Sequence, residues 1–222
     1  ISRWKSFERR SIKPETKGQR RARRPKAKDQ RPNRQSAIGN WQLLSVALIL
    51  LATALQLHYQ GRFWICSCRR MLIWTSDGWS SDTSQHWFDP YSFTHILHGF
   101  AFCGLLLLIL PRISFAWRFV LGVALESAWE ILENTEAVIN RYREATAALG
   151  YEGDTVINSI GDIVAFGLGF WVAWWLGWRR SIALFVALEA VLLLWIRDSL
   201  LLEILMLVYP MDAIRQWQIG PS

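Results

Sequence analysis

The chain has 222 residues, of which 52% are hydrophobic and 14 are tryptophan, and its formal net charge is +7. The apolar residues occur in long runs and not in amphipathic alternation, which argues against a soluble domain. Residues 1–40 hold 14 of the 25 basic residues and three of the 18 acidic ones, so the rest of the chain has a net charge of −4. A basic tail on an apolar body is typical of a membrane protein, and because no nucleic-acid-binding motif accompanies the charge we expect no nucleic-acid partner.

The first part of the chain predicts an arm, a span and a loop. We expect residues 1–40 to form a basic, disordered cytoplasmic arm. Residues 41–57 are the first apolar run, and we interpret them as an uncleaved transmembrane span because the arm before them is longer than a signal peptide of about 15–30 residues. Residues 58–94 are polar and aromatic, and we predict that they form a periplasmic loop.

Residues 95–209 predict a transmembrane bundle with a polar layer, followed by a C-terminal tail at 210–222. The fold class is therefore an all-α, polytopic transmembrane helical bundle of about five spans with a cytoplasmic N-terminus. Orientation follows from the arm and from the arginines of the short inner loops. The main alternative has four spans and a re-entrant final segment, because residues 199–209 are too short to cross alone. The four predicted spans after the first are 95–110, 113–132, 158–178 and 181–196.

Ionisable residues gather on the outer side of this predicted bundle. Glu126, Glu130 and Glu133 recur at i, i+4 and i+7 and share one helical stripe. His95 and His98 open an adjacent span on the same side. The complete predicted polar pocket comprises His95, His98, Glu126, Glu130, Glu133, Asn134, Arg141, Arg143, Asp154, Asn158, Asp162, Arg197 and Asp198.

Small residues predict that the helices carrying this pocket approach closely. Gly161, Ala165 and Gly169 form a ridge on one span, and Gly99 and Cys103 form a shorter ridge on another. We interpret Cys103 as a packing residue.

Three interpretations of the pocket remain open, because each charged group at mid-bilayer costs about 2.5–3.5 kcal/mol and needs a partner. The first is a structural network in which arginines pair with carboxylates, which would suit a non-catalytic scaffold or accessory subunit. The second is a divalent metal site for Zn, Mn or Fe. The third is a pocket for a small molecule or lipid headgroup, with Glu130 or His98 as general base. A proton pathway has less support, because no second polar layer is predicted near the inner side, where Glu189 stands alone. In the metal interpretation the ligands would be His95, His98, Glu130 and Asp162. In the structural interpretation the arginines that pair with carboxylates would be Arg141, Arg143 or Arg197.

The outer loop adds a second set of candidates. Cys66 and Cys68 could form a local disulfide or hold a soft metal, but two thiols are too few for a closed zinc site. Gln85, His86 and Asp89 could cap the buried layer.

An ordered series of motifs resembles a known family. The series is GRxxICxC, SQHxxDxYxFxHxLHGF, ExxWExxEN, RYRxAT, GYxGDxxxNSxGD, IRD and MLxYPxDAIxxWQ, over about residues 61–219. It is similar to an uncharacterised family of bacterial multi-pass membrane proteins with a domain of unknown function, and departs from it at Arg69, Pro90 and Ser199. A looser similarity of arrangement links it to VanZ-like membrane proteins. The resemblance implies a bacterial inner-membrane protein, with the bilayer and other membrane proteins as partners, and it assigns no reaction.

Overall fold

The computed structural model describes residues 38–146 and 150–220, so most of the predicted basic arm lies outside the described residues. Within those ranges all regular structure is helical apart from one isolated bridge between Trp74 and Phe88. The predicted all-α helical bundle is therefore confirmed. The helices are α1 (Asn40–Tyr59), α2 (Ser92–Ile109), α3 (Phe115–Glu133), α4 (Glu136–Ala145), α5 (Val156–Leu176), α6 (Trp178–Trp195), α7 (Leu200–Val208) and α8 (Asp212–Ile219).

Each of the five predicted apolar runs coincides with a long helix. Three of these helices, α1, α2 and α5, are long and apolar enough to cross a membrane, which indicates a membrane protein. Helices α3 and α6 have 19 and 18 residues, but they carry several charged side chains. A total of about five spans therefore stays a prediction.

Helices α2 and α5 pack with their backbones in close contact. A Cβ atom at Gly99 would overlap the Phe166 carbonyl, and one at Gly169 would overlap the Ile96 carbonyl. The predicted small-residue ridges are confirmed for this helix pair. Gly161 packs against a different segment, because a Cβ there would overlap the carbonyl of Trp87 in the loop between α1 and α2.

The apolar core lies between α2, α3 and α5. Phe100, Val123, Phe166 and Phe170 are buried in it, and the buried thiol of Cys103 packs beside them as predicted. These core residues follow the histidines along α2 and precede the glutamates along α3. Because the two helices run in opposite directions, the apolar core and the polar residues occupy different ends of the bundle.

The loop between α1 and α2 folds over the polar end. The amide of Val156 donates to the Phe63 carbonyl at 2.8 Å, and the amide of Thr155 donates to the Ser84 carbonyl at 3.0 Å. The Thr155 hydroxyl accepts the amide of Asn158 at 3.3 Å and caps α5. Loop carbonyls thus satisfy amides at the start of α5 that would otherwise lack partners.

Glu189 does not stand alone, contrary to expectation. It is buried in the second half of α6, and both of its carboxylate oxygens lie 3.4 Å from the amide of Leu201. That position lets the side chain reach the first turn of α7, where helix amides are free and the helix dipole favours negative charge.

Candidate functional site

His95 lies at the centre of the polar end, near the start of α2. Its Nδ1 is 2.7 Å from Glu126 Oε1 and 3.2 Å from Glu130 Oε1, both on α3. The imidazole is almost completely buried. The predicted spacing therefore brings this histidine against two of the three glutamates.

His98 lies one helical turn further along α2 and approaches the same carboxylate. Its Nδ1 is 3.0 Å from Glu126 Oε1, and its ring packs edge-on against Trp129. Two imidazoles thus converge on a single carboxylate oxygen. We call His95, His98, Glu126, Glu130 and Glu133 the carboxylate–histidine site.

The three glutamates of this site have too few donors. Glu126 and Glu130 are fully buried. Glu126 Oε2, both oxygens of Glu130 and Glu133 Oε2 have no hydrogen-bond partner among the described residues. Although His95 Nδ1 lies near Glu130, the hydrogen bond of this nitrogen is with Glu126, the closer oxygen. Buried carboxylates in this state require added protons or a cation.

The site residues form two overlapping groups with spacing suited to a metal ion. One ligand atom from each of His95, His98 and Glu126 lies within 4.8 Å of the others, and the same holds for His95, Glu130 and Glu133. Glu126 and Glu133, both members of the predicted polar pocket, therefore belong beside the histidines.

Asp162 lies on the other edge of the His95 ring, so the predicted ligand set is divided. Its Oδ2 is 3.9 Å from Nε2, whereas the glutamates face Nδ1. Asp162 Oδ1 accepts the Ser92 hydroxyl at 2.7 Å. A single imidazole cannot offer both nitrogens to one ion, so Asp162 and Glu130 do not share an ion through His95.

A second group of polar residues at the same end is fully bonded. Asn134 Nδ2 donates to Asp154 Oδ2 at 2.8 Å, and the Asp154 amide donates to Asn134 Oδ1 at 2.7 Å. The Tyr151 hydroxyl donates to Asp154 Oδ1 at 3.0 Å. Asn158 Nδ2 donates to the His86 carbonyl at 2.8 Å. We call Asn134, Tyr151, Asp154 and Asn158 the amide belt.

The outer-loop candidates do pack over this end. Asp89 accepts the amides of Ser84 and Tyr91, each at 2.7 Å. Burial raises the pKa of the Asp89 carboxyl, and the two amide hydrogen bonds oppose that rise. Gln85 donates to the Gly153 carbonyl at 3.1 Å. Cys66 and Cys68 are joined in a disulfide.

The predicted pairing of arginines with carboxylates is wrong. Arg141 donates to the Leu207 carbonyl at 2.9 Å, Arg143 to the Tyr151 carbonyl, and Arg197 to the Trp217 carbonyl at 3.3 Å. Within the described ranges, the carboxylate–histidine site forms ion pairs with histidine alone. The arginines are only half-buried, and placing a guanidinium among the glutamates would require its desolvation.

Asp198 is buried outside the carboxylate–histidine site, with the Ser199 amide at 2.9 Å from its Oδ1. Burial, with a smaller contribution from the charge of Glu189, raises the pKa of Asp198 to about 7.

Three further residues take part in the polar network and were not predicted as site residues from the sequence. Ser92 links the Asp89 amide to Asp162. The Tyr142 hydroxyl interacts with the carboxyls of Glu133 and Glu203. The sequence does contain a signal for Glu203, because it is the only acidic residue in the apolar piece 199–209.

Comparisons with known proteins agree with the resemblance read from the motifs. A family model described as "Protein of unknown function (DUF2585)" matches residues 57–220. The UPF0314 protein of Paracoccus denitrificans is 44% identical over 171 residues, covering 77% of this chain and 89% of the relative. That of Rhizobium meliloti is 40% identical over 188 residues, covering 85% and 95%. That of Sphingopyxis alaskensis is 43% identical over 178 residues, covering 80% and 94%.

No solved structure shows a significant match to this chain. The family match includes every residue of the carboxylate–histidine site and of the amide belt. The resemblance to an uncharacterised bacterial family is confirmed, and the chain belongs to the DUF2585 family.

Proposed function

We propose that this chain is a multi-pass inner-membrane protein that binds a divalent transition-metal ion at the carboxylate–histidine site. The observation that carries the proposal is the side chain of Glu130. It is fully buried, neither carboxylate oxygen has a hydrogen-bond donor within the described part of the chain, and His95 Nδ1 lies 3.2 Å away. A bound cation would supply the positive charge that the surrounding side chains lack.

The charges of the site support a dication. Metal-bound histidine is neutral, so the three glutamates would leave a charge of −3 that a divalent ion reduces to −1. The Tyr142 hydroxyl at Glu133 offers a neutral hydrogen bond to the remaining charge. Imidazole nitrogen combined with carboxylate oxygen suits zinc, manganese or ferrous iron.

The position of Asp162 supports the same assignment. With a metal on His95 Nδ1, the opposite nitrogen carries the proton and faces Asp162 Oδ2. Metal-binding histidines commonly donate their second N–H to a carboxylate in this way. The 3.9 Å separation is longer than a hydrogen bond, so we expect the two groups to approach when metal binds. Ser92 holds the carboxyl in place.

Charge distribution supports a site that opens to the periplasm. Arg112, Arg179 and Arg180 lie at the opposite end of the bundle, and the sequence that precedes α1 is rich in basic residues. Positive charge accumulates on the cytoplasmic side of membrane proteins. A reporter enzyme that is active only in the periplasm, inserted at the exposed positions 76–77, should be active. Activity of a cytoplasm-dependent reporter at that position would reverse the orientation.

The scaffold role is the second candidate, and the amide belt favours it. Every oxygen of Asp154 is bonded there, which is what a purely structural network requires. Under this alternative the glutamates are protonated and no metal is bound. A small-molecule or lipid-headgroup function has less support. A cavity of about 250 Å³ does lie nearby, but its lining omits all five site residues and consists of Arg62, Glu136, Ile139, Asn140, Arg143 and Glu152.

Elemental analysis of the purified full chain separates the two candidates. Protein prepared without reductant is stripped with a chelator, incubated with Zn²⁺ or Mn²⁺, and desalted. We expect about one ion per chain in the wild type and in the control Glu136→Gln, which alters an exposed carboxylate. Glu130→Gln and the His95→Ala/His98→Ala variant should lose it. A wild type without metal, or a Glu130→Gln protein that retains it, would contradict the proposal.

A further inference from the structure

A second set of potential metal ligands lies in the loop over the polar end. Cys66, Cys68, Asp82 and His86 each offer one ligand atom, and these atoms all lie within 4.8 Å of one another. Cys66 and His86 are buried, Asp82 is half-buried and Cys68 is exposed. The group is therefore open to solvent on the Cys68 side and closed on the His86 side.

The ring of His86 provides independent evidence that this group binds a ligand. Its Nε2 is buried and has no hydrogen-bond partner among the described residues. That nitrogen lies 3.6 Å from Asp82 Oδ1, and the other Asp82 oxygen faces Arg70 at 3.6 Å. A buried nitrogen that faces a carboxylate without bonding to it is positioned to coordinate an ion between them.

We propose that these four residues form a redox-gated zinc site. In the oxidised form seen here, the two sulfurs are joined in the Cys66–Cys68 disulfide and are not available as zinc ligands. When the disulfide is reduced, two thiolates, the His86 imidazole and the Asp82 carboxylate provide four ligands for tetrahedral Zn²⁺. The histidine and the aspartate supply the two ligands that the cysteines alone lack.

The gating step is thiol–disulfide exchange with a dithiol reductant. The dithiol gives two electrons and two protons to the disulfide and is itself oxidised to a disulfide, and Cys66 and Cys68 become thiols. Zn²⁺ then displaces the two thiol protons and binds both sulfurs as thiolates. Exchange with a disulfide oxidant, which accepts the two electrons and is reduced to a dithiol, re-forms the Cys66–Cys68 bond and releases the ion. The exposed sulfur of Cys68 is the accessible point of attack for the reductant.

Zinc binding requires a small rearrangement beside His86. The amide of Leu72 lies 3.4 Å from His86 Nδ1 and points its hydrogen at that nitrogen. Coordination through Nε2 places the ring proton on Nδ1, so this amide has to turn away. The side chains of residues 71–73 are exposed, which leaves the segment room to move. The His86 backbone stays anchored by Asn158.

The two proposed sites differ in ligand type and can be measured separately. The bundle site offers nitrogen and oxygen, whereas the loop site offers sulfur as well. Co²⁺ bound by thiolate gives a sulfur-to-cobalt charge-transfer absorption in the near ultraviolet, which a site without sulfur lacks. The probe is therefore Co²⁺, added to the detergent-solubilised full chain with or without prior reduction by a phosphine.

We expect the charge-transfer band in the reduced wild type and its absence in the oxidised protein. Cys66→Ser/Cys68→Ser should abolish the band, and Cys103→Ser, which alters the buried packing thiol, should retain it. Asp82→Asn and His86→Gln should each weaken Co²⁺ binding by about 10-fold or more. Asp82 is half-buried, so its variant tests the site even if the His86 variant fails to fold. Glu130→Gln should keep the band whether or not the bundle site binds metal.

Three results would overturn the proposal. The first is a reduced wild type without a charge-transfer band, and the second is a band that survives in the double serine variant. The third is unchanged affinity in Asp82→Asn, because it would show that this carboxylate takes no part.

Discussion

The carboxylate–histidine site and the amide belt lie at the same end of the bundle and are equally buried, yet only the belt is satisfied. In the belt, Asp154 receives donors on both oxygens. In the site, four carboxylate oxygens on three glutamates have none among the described residues. The same kind of side chain is thus in a completed network in one region and in an incomplete one in the other.

The difference follows from where the residues sit in their helices. Asn134 and Asp154 lie in turns, where backbone amides and amide side chains are free to bond. Glu126 and Glu130 lie within α3, whose interior amides are already used in helical hydrogen bonds. Only a side chain from another helix, a proton or a bound ion can reach these glutamates. We therefore interpret the belt as structural and the site as ready for a ligand.

The largest effect should come from breaking the belt. Asn134→Ala removes a donor to Asp154 Oδ2 and the acceptor of its amide, and should lower the free energy of unfolding by about 2–4 kcal/mol. Equilibrium unfolding in mixed detergent micelles measures this loss. Asn140→Ala, at an exposed position of α4, is the control. Equal losses in the two variants would show that the belt is not structural.

Weakening the support behind His95 should have the next largest effect. Asp162→Asn should lower metal affinity by about 10- to 100-fold, because a neutral amide orients and polarises the imidazole less well than a carboxylate. A competition titration with a chromophoric chelator measures the affinity. Complete loss of binding would instead make Asp162 a direct ligand, and unchanged affinity would remove it from the site.

Neutralising the site should change stability in the opposite direction to breaking the belt. Glu130→Gln removes a buried carboxylate without donors, so the metal-free protein should gain about 1–2 kcal/mol. The variant should also lose the rise in thermal midpoint that metal gives the wild type. A destabilised metal-free Glu130→Gln protein would mean that Glu130 is already satisfied and that the contrast between the two regions is false.

In the number of hydrogen-bond donors to its carboxylate, Asp198 is intermediate between the belt and the site. Its substitution should give the smallest effect. Burial raises its pKa to about 7, so the folded state favours the protonated form. Its contribution to stability is complete below the unfolded pKa near 4 and is lost as pH rises through 7. From about pH 6 to pH 8 the wild type should lose about 1 kcal/mol relative to Asp198→Asn. Parallel pH profiles of thermal midpoint would contradict this assignment.

The sequence predicted the helices and the convergence of their polar residues because both depend on regular spacing. The i, i+4, i+7 recurrence put the glutamates on one stripe, and the run of apolar residues identified α2, α3 and α5. Gly99 and Gly169 predicted the close approach of α2 to α5. These inferences needed only helix geometry and membrane energetics.

Hydrogen-bond partners could not be predicted in the same way, because they depend on loop paths and side-chain directions. Arg141 and Arg143 carry the right charge for the glutamates, yet α4 directs them to backbone carbonyls. The ring orientation of His95 determines which carboxylates face its Nδ1, and it places Asp162 at Nε2 instead. No periodic pattern in the sequence encodes either outcome.

Zinc X-ray absorption spectroscopy of the Cys66→Ser/Cys68→Ser protein tests the central claim most directly, because that variant lacks the proposed loop site. The account predicts bound zinc with only nitrogen and oxygen ligands at about 2.0–2.2 Å. Imidazole scattering should also be present, and bound zinc should be lost when His95→Ala/His98→Ala is added. Protein that retains no zinc, or a spectrum with the same ligands in both backgrounds, would contradict the account.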